Sequence, residues 1–223
     1  MQWTTVGTMH LNRLTQPAVE LLTLAVAKQH LRIDTGFTDD DDYISTLIMV
    51  AREWVEDFTN RSIGSCNWEL VLDQFPANRN YIELSRAPLT AVSYIKYTNA
   101  AGTQVTMDPA SYLVDLDRNP GALFLPYYGI WPVLVPQPGA AVRIGFTAGH
   151  ASSDVPARIL QAMLLLVGHW YIYREEVTDA RKIEQIPLGV ESLLWPLRVF
   201  TNGDFNGNMP LDSYIGGAYY GAR

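Results

Sequence analysis

The 223-residue chain lacks the features that mark secreted and membrane proteins. Its one cysteine, Cys66, cannot form a disulfide within the chain, which favours a reducing compartment. The longest apolar run, residues 162–167, is far shorter than the roughly 20 residues of a membrane-spanning helix. Residues 1–20 have no basic segment followed by an apolar stretch, so we expect no secretory signal. We therefore expect a soluble protein made in the cytoplasm.

Charged residues are also scarce, and their balance is acidic. They make up 17% of the chain, and the formal net charge is −7. This sign argues against a protein that grips nucleic-acid phosphates over a large surface. Because interface cores are enriched in Trp and Tyr, the low charge and the 11% aromatic content favour an assembly of subunits. A large core beneath an uncharged polar surface is the alternative.

Hydrophobic periodicity predicts helices in two separate parts of the chain. Apolar residues at helical spacing follow Thr23, a good N-cap, and a longer apolar stripe covers residues 44–58. A wide apolar stripe after Pro156 and a short one at residues 190–195 predict two more helices. We expect Asp154 to cap the first of this second pair.

Between the helix pairs, residues 66–147 consist of short apolar and β-branched runs separated by Gly, Pro and Asn. This pattern is typical of about six antiparallel strands. The predicted fold class is therefore α+β. We expect a small helical bundle interrupted by an antiparallel β insertion, with an extended C-terminal tail.

The predicted organisation has four parts. Residues 1–19 form an N-terminal arm, and residues 20–62 together with 150–198 form a helical domain. Residues 63–149 form the inserted β unit, whose ends should lie close together. Residues 199–223 form the tail.

The tail combines glycine and aromatic residues with almost no charge and no periodicity. A segment of this kind more often becomes ordered on a partner than on its own domain. Its aromatic side chains are therefore candidates for binding a partner. They are Phe200, Phe205, Tyr214, Tyr219 and Tyr220.

A second aromatic segment lies between predicted strands at residues 126–132. Tyr127, Tyr128 and Trp131 stand among Pro and Gly residues, and their exposure to water would be costly. Either they fold back over the β unit or they contact a neighbouring subunit. We take these three residues, together with Trp170 on the wide apolar stripe, as candidates for a subunit interface.

Four consecutive aspartates, Asp39, Asp40, Asp41 and Asp42, precede the second predicted helix. A calcium loop places its oxygen ligands at alternate positions with a glycine between them, and this run has neither feature. We interpret the run as an acidic helix start that caps free N–H groups. Within an assembly it would also form an acidic lumen that repels DNA.

No pattern of catalytic residues is found. The histidines His10, His30, His150 and His169 have no partners at zinc-ligand spacing, and no glycine-rich phosphate loop is present. Thr147 occupies the position where a nucleophile elbow needs serine. We therefore expect no catalytic residue, metal site or cofactor, and a chain that is not an enzyme. A metal-assisted hydrolase using the four aspartates is the alternative.

Several short segments between residues 20 and 198 share the order and spacing of a known family. Early in the chain they are LAVAKQHLRI at residues 24–33, DDDYI at 40–44 and AREWVE at 51–56. Further along they are PL at 88–89, YLVD at 112–115, WP at 131–132, FTAG at 146–149, LLLVGHWY at 164–171 and PLGV at 187–190. Together they resemble the head–tail connector (adaptor) proteins of long-tailed bacteriophages and related gene transfer particles.

The resemblance implies a structural protein of the virion neck, made in the host bacterial cytoplasm. It implies a ring of twelve copies beneath the portal protein, joined on the other side to a stopper or tail-completion protein. The ring would give double-stranded DNA a channel without binding it specifically, and no membrane would be involved. The family's C-terminal segment reaches the portal, which fits residues 199–223. Another neck or tail completion protein is the alternative.

Overall fold

The computed structural model describes residues 9–77, 79–134, 139–151, 154–174 and 188–200, which form helices and antiparallel sheets. The helices are α1 (Leu24–Leu31), α2 (Asp41–Thr59), α3 (Ala157–Ile172) and α4 (Leu188–Leu194). The strands are β1 (Met9–Arg13), β2 (Cys66–Leu72), β3 (Tyr81–Glu83), β4 (Leu89–Thr98), β5 (Gln104–Thr106), β6 (Leu113–Asp115), β7 (Ala122–Phe124) and β8 (Val142–Ala148). The predicted α+β fold class is confirmed.

The four helices pack around one apolar core, although α1 and α2 are separated in sequence from α3 and α4. As predicted, α1 begins where the Thr23 hydroxyl accepts the Val26 N–H at 3.4 Å. Helices α1 and α2 end at Arg32 and Asn60, which adopt left-handed φ angles of 58° and 55°. The core is formed by the predicted stripes and includes Ile44, Leu47, Ile48, Ala51, Val55, Ile159, Met163 and Leu166.

The start of α3 differs from the prediction. Its N-cap residue is Pro156, with no capping hydrogen bond from a side chain. Asp154 is not the cap, because its own N–H bonds to the carbonyl of Ala151 at 2.9 Å and places it in the preceding turn. Pro156 contributes its carbonyl oxygen, which accepts the N–H of Ile159 at 2.8 Å.

Seven strands of the region from residue 66 to residue 148 and one N-terminal strand form two antiparallel sheets. The larger sheet has the order β1-β2-β8-β4-β5, and the smaller has the order β3-β7-β6. A second apolar core includes residues of both sheets, among them Trp68, Leu70, Phe75, Leu84, Ile95, Leu123, Ile144 and Phe146.

Strand register gives the large sheet two distinct ends. Ala148 pairs with Cys66 and with Leu89 at one end, whereas Val142 pairs with Leu72 and Tyr97 at the other. At about 3.3 Å per residue, these ends lie roughly 20 Å apart.

The first of these ends, which we call the junction, adjoins the helices. There the Gly149 N–H bonds to Pro88 O at 2.9 Å, and the His150 N–H bonds to Ile63 O at 3.2 Å. We call the far end, where Val142 pairs with Leu72, the tip.

Two strands were not predicted. Strand β1 lies in the segment predicted as an arm, and it pairs with β2 from Met9 opposite Leu72 to Arg13 opposite Trp68. Strand β5 pairs with β4 over three residues. Both are short edge strands with mostly exposed side chains. Residues 9–12 alternate apolar and polar side chains, a signal that the sequence analysis did not use, whereas the three residues of β5 are too few to show a period.

Candidate functional site

A buried carboxylate organises the junction. Glu56 on α2 is fully buried, and its Oε2 accepts hydrogen bonds from Arg13 on β1 and from Arg52 Nη1 at 3.0 Å. Its Oε1 accepts the N–H of Ile63 at 2.8 Å. Arg52 also contacts Glu20 through Nε at 3.0 Å. Every oxygen of this buried carboxylate therefore has a donor, as a buried charge requires.

The same junction holds an aromatic ring beside two cations. The guanidinium carbons of Arg13 and Arg86 lie 4.7 and 4.9 Å from the ring centre of Trp68 on β2. Arg86 continues to α2, where it donates to the carbonyl of Glu56 at 2.8 Å and to Asp57 Oδ1 at 2.7 Å. These contacts fix the orientation of the larger sheet on the helices.

The sequence prediction missed this cluster, although one signal of it was visible. Arg52 and Glu56 are four residues apart on a helix, and both interrupt its buried side. A pair of opposite charges on an apolar face indicates a buried ion pair rather than a solvated one. Arg13 and Trp68 could not be assigned to it, because strand β1 itself was not predicted.

At the tip, the aromatic segment divides between the two predicted alternatives. Trp131 folds back over the β unit: its ring stacks on Phe75 at 4.9 Å with an angle of 8°, and its Nε1 donates to Arg79 O at 2.9 Å. Phe75 in turn makes an edge contact with Tyr97 at 6.0 Å. Trp131 therefore closes the core of the β unit at this end.

Tyr127 and Tyr128, in contrast, point away from the core. They are 92% and 94% exposed, and their rings contact each other edge-on at 5.3 Å. Ile130 and Val133 are also largely exposed. We call residues 126–133 the tip loop. It presents four large apolar side chains to solvent within eight residues, which is unusual for a surface that stays in water.

Clefts flank the tip loop. One, of about 340 Å³, is lined by residues that include Phe75, Trp131 and Val133, and none of its lining residues carries a charge. A second, of about 460 Å³, lies between the loop and the chain before β3 and contains the charged side chain of Arg79. Neither cleft is lined by a carboxylate, so the tip can receive apolar groups from a partner with little desolvation of charge.

A second apolar surface, which the sequence analysis did not identify, lies on strand β6 and the residue that follows it. Leu113 is 60% exposed, and Val114 and Leu116 are exposed as well. β6 is an edge strand of the smaller sheet, paired only with β7 among the described strands. We call Leu113, Val114 and Leu116 the β6 edge. A strand with one buried and one exposed face shows alternating apolar and polar residues, from which its exposed side can be read. Leu113 and its neighbour Val114 are both apolar and both exposed, so the sequence did not indicate this surface.

The four aspartates lie where the second helix begins. Asp40 is the N-cap residue of α2 but makes no side-chain capping bond, which corrects the expectation that its carboxylate caps the helix. Asp41 and Asp42 belong to the first turn, where their charge favours the positive helix end. Asp41 Oδ1 accepts Lys28 Nζ at 2.7 Å, whereas Asp39 and Asp42 are exposed.

Asp40 makes a different contact. Its Oδ2 accepts the hydroxyl of Tyr171, and Arg174 Nη2 lies 3.2 Å from the same oxygen. The hydrogen bond from Tyr171 and the charge of Arg174 hold the pKa of Asp40 below its usual value. Arg174 also lies over the rings of Tyr43 and Tyr171, at 4.7 and 4.9 Å. The end of α3 is thereby fastened to the start of α2.

The remaining interface candidates are placed as follows. Trp170 is half-buried against the helical core, and its backbone carbonyl accepts the Tyr43 hydroxyl at 3.4 Å. Phe200 is half-buried beside Arg198, whose guanidinium carbon lies 5.4 Å from the ring centre. The other four tail aromatics lie outside the described residues: Phe205, Tyr214, Tyr219 and Tyr220.

The groups considered for catalysis are placed as follows. His150 is at the junction, where its Nε2 is buried without a partner in the described part of the chain, and burial and the charge of Arg61 lower its pKa. His169 packs beside Tyr173 at 5.1 Å, and burial raises the pKa of the Cys66 thiol. Among the residues that the structure describes, no group of three or more His, Cys, Asp or Glu could hold a metal ion.

The described helices include none long and apolar enough to cross a membrane.

Comparison with known proteins relates this fold to a family. Residues 22–117 match the family described as "Phage gp6-like head-tail connector protein". The match covers α1, α2 and the first part of the β region through β6. No curated protein matches the chain.

Similar solved structures come from gene transfer agent (GTA) particles. A chain from "Neck of empty GTA particle computed with C6 symmetry" is 25% identical, with a TM-score of 0.70. A chain from "Virion of native gene transfer agent (GTA) particle" is 26% identical, with a TM-score of 0.68. Each alignment covers 86% of this chain and 96% of the other. A chain from "Neck of native GTA particle computed with C12 symmetry", 23% identical with a TM-score of 0.67, shares the fold. These matches confirm the resemblance to the head–tail connector family and the prediction of a structural connector in a phage-like particle.

Proposed function

We propose that this connector forms a ring in the particle neck, between the portal protein and the stopper or tail-completion protein, and surrounds a channel for double-stranded DNA. The observation that carries the proposal is the likeness to a neck chain over 86% of this chain and 96% of the other. Because that likeness includes the β region as well as the helices, the proposed role belongs to the whole described fold. We propose no catalytic activity.

A ring is supported by the symmetry of the related assemblies and by the surface of this chain. The similar necks were computed with six-fold and twelve-fold symmetry, which favours twelve copies here. The tyrosines of the tip loop are exposed in the single chain, and subunit contact would remove them from water. Trp170 is a weaker interface candidate, because it already packs on its own helical core.

We further propose that the start of α2 faces the channel. Asp39 and Asp42 are exposed, whereas Asp40 is paired with Arg174 and Asp41 with Lys28, so the exposed negative charge comes chiefly from Asp39 and Asp42. Repeated around a ring, these carboxylates would repel the DNA phosphates and prevent the passing polymer from adhering. The chain's net charge of −7 is consistent with this role.

The tail aromatics, Phe200 among them, are proposed to bind the portal. We also propose that the helices and the β region act as two units, with boundaries near residues 62–63 and 149–150. In that arrangement, the helical unit carries the attachment to the portal through the chain that follows α4. The β unit extends from the junction towards neighbouring subunits or the tail side.

The proposed position is tested by electron microscopy of particles that carry a labelled copy of this chain, assembled in the bacterium that produces them. We expect the label in a ring below the portal. Deletion of residues 201–223 should leave the helical content measured by circular dichroism unchanged and reduce co-purification with the portal protein. Particles that lack the label would contradict the proposed position. A truncated chain that binds the portal protein as strongly as the full chain would contradict the proposed role of the tail.

A further inference from the structure

Two of the exposed apolar surfaces among the described residues, the tip loop and the β6 edge, belong to the smaller sheet and the loop beside it. The inference drawn from them rests on the proposed ring, because it concerns how one copy contacts the next. A closed ring needs two different surfaces on each copy, one for each neighbour. Such a contact requires that the two surfaces lie at different places on the copy and that both can leave water at little cost.

The two surfaces lie on opposite sides of the smaller sheet. The tip loop follows β7 and turns towards β3, since Leu125 N–H bonds to Asn80 O at 2.8 Å and Trp131 Nε1 to Arg79 O. The β6 edge is on the other side of β7, because the strand order is β3-β7-β6. Adjacent strands are about 4.8 Å apart, so roughly 10 Å separates the axes of β3 and β6. The tip loop and the β6 edge therefore lie at different edges of the smaller sheet.

Both surfaces can be buried without stranding a charge. Residues 126–133 contain no ionisable group other than the two tyrosine hydroxyls, which can keep contact with water at the rim. The charged residue that lies between Val114 and Leu116, Asp115, is half-buried, and its Oδ1 already accepts the N–H groups of Asp117 and Arg118 at 3.1 and 3.2 Å. Charge desolvation, which opposes many subunit contacts, is small for this pair of surfaces.

Strand β6 also has an open side. It pairs with Phe124, Leu123 and Ala122 of β7, and no other described strand pairs with it. An exposed strand edge presents unpaired N–H and C=O groups to which a segment of another chain can bond. Exposed side chains and an exposed strand edge thus occur at the same place.

We propose that the tip loop of one copy packs against the β6 edge of the next copy, and that this contact is repeated around the ring. The loop supplies Tyr127, Tyr128, Ile130 and Val133, and the edge supplies Leu113, Val114 and Leu116. The contact is head-to-tail: each copy gives its loop to one neighbour and its edge to the other. Such a contact closes into a ring when the rotation between copies allows it.

Cysteine cross-linking of the full-length chain tests the proposal. The natural Cys66 is buried and does not interfere. A double variant, Tyr127→Cys with Val114→Cys, should form a ladder of disulfide-linked oligomers on mild oxidation, up to the copy number of the ring. Each single variant should remain monomeric on a non-reducing gel. The matched control pairs Tyr127→Cys with Val50→Cys, an exposed apolar position on α2, and should give no ladder.

The outcomes separate this proposal from the proposed function. Rings visible by electron microscopy without a ladder in the double variant would overturn the proposed contact and leave the connector function standing. Disulfide dimers of the Tyr127→Cys variant alone would show that two tip loops meet, which also overturns it. A chain that forms no ring in purified solution or in particles would overturn both.

A second measurement uses charged substitutions. Tyr127→Asp should prevent the tip loop from binding a neighbouring copy, and Val114→Lys should prevent the β6 edge from doing so. Neither variant alone should therefore form oligomers. Mixed together, they retain one intact loop and one intact edge, and we expect a discrete 1:1 dimer by light scattering. Unaltered melting temperatures would show that both variants fold. Ring formation by either variant alone, or the absence of the dimer in the mixture of folded variants, would overturn the proposal.

Discussion

The two ends of the β region use aromatic and charged residues in opposite ways. At the junction, Trp68 lies beside two arginines and the buried Glu56 has a donor for each oxygen. At the tip, Trp131 is packed, but Tyr127 and Tyr128 are left in solvent. The junction uses its side chains to hold the chain together, whereas the tip keeps large apolar groups available. Substitutions at the two ends should therefore affect different measurements.

The largest effect on stability is expected at the junction. Glu56→Ala removes the acceptor of Arg13 and Arg52 and leaves buried positive charge without compensation, which costs about 3–5 kcal/mol. Urea denaturation followed by circular dichroism measures the change. Glu53→Ala, a neighbour with a largely exposed side chain, is the matched control and should change stability by less than about 0.5 kcal/mol. Equal effects of the two substitutions would show that the buried carboxylate does not hold the junction.

A smaller loss is expected where the tip joins the core. Trp131→Ala removes the stack on Phe75 and the hydrogen bond to the Arg79 carbonyl, and roughly 1–3 kcal/mol of stability should be lost. Chemical denaturation compared with the wild type measures this loss. Trp131→Phe keeps a ring but not the donor, so it should recover most of it. A Trp131→Ala variant as stable as the wild type would mean that the indole does not close the core.

A pH effect of smaller size is expected from His150. Because its pKa is lowered in the folded chain from the ordinary value of 6.5, the unfolded chain binds more protons as the pH falls below that value. The contribution of His150 to stability should therefore be fully present above pH 6.5 and decline as the pH falls towards the lowered pKa. Between about pH 7.5 and about pH 5.5, denaturation midpoints should fall more steeply for the wild type than for His150→Gln. Parallel pH profiles would show that His150 does not contribute.

The smallest effect on stability is expected for the exposed tip. Tyr127→Ser removes a ring that contacts the ring of Tyr128 in solvent, so the free energy of unfolding should change by less than about 0.5 kcal/mol. Assembly, in contrast, should be strongly weakened, which sedimentation velocity would measure. A substantial loss of stability without loss of assembly would reverse the contrast between tip and junction.

The helices could be predicted from the sequence because their burial repeats at a local period. The stripe from Ile44 to Val55 becomes the core face of α2, and Thr23 caps α1 as expected. The longer strands β2, β4 and β8 were also visible, since their apolar and β-branched residues lie close together in sequence. Local burial was enough to predict the α+β fold class.

The contacts between distant segments could not be predicted in this way. Arg13 meets Glu56 across 43 residues, and Asp40 meets Tyr171 across 131. Nothing within one helix turn or one strand indicates such partners. The tip posed a related problem: composition showed that its aromatics needed cover, but only the packing of Trp131 on Phe75 separated the covered ring from the two exposed ones.

The chain leaves the helices and returns to them at neighbouring points, where Ile63 O and His150 N are 3.2 Å apart. Two adjacent crossing points make the intervening residues, 64–149, a cassette in the evolutionary sense. Strands can be added or removed there without a change in the spacing of α2 and α3, provided that Glu56 keeps its donors. The length of the β unit and the packing of the four helices can thus vary independently of each other.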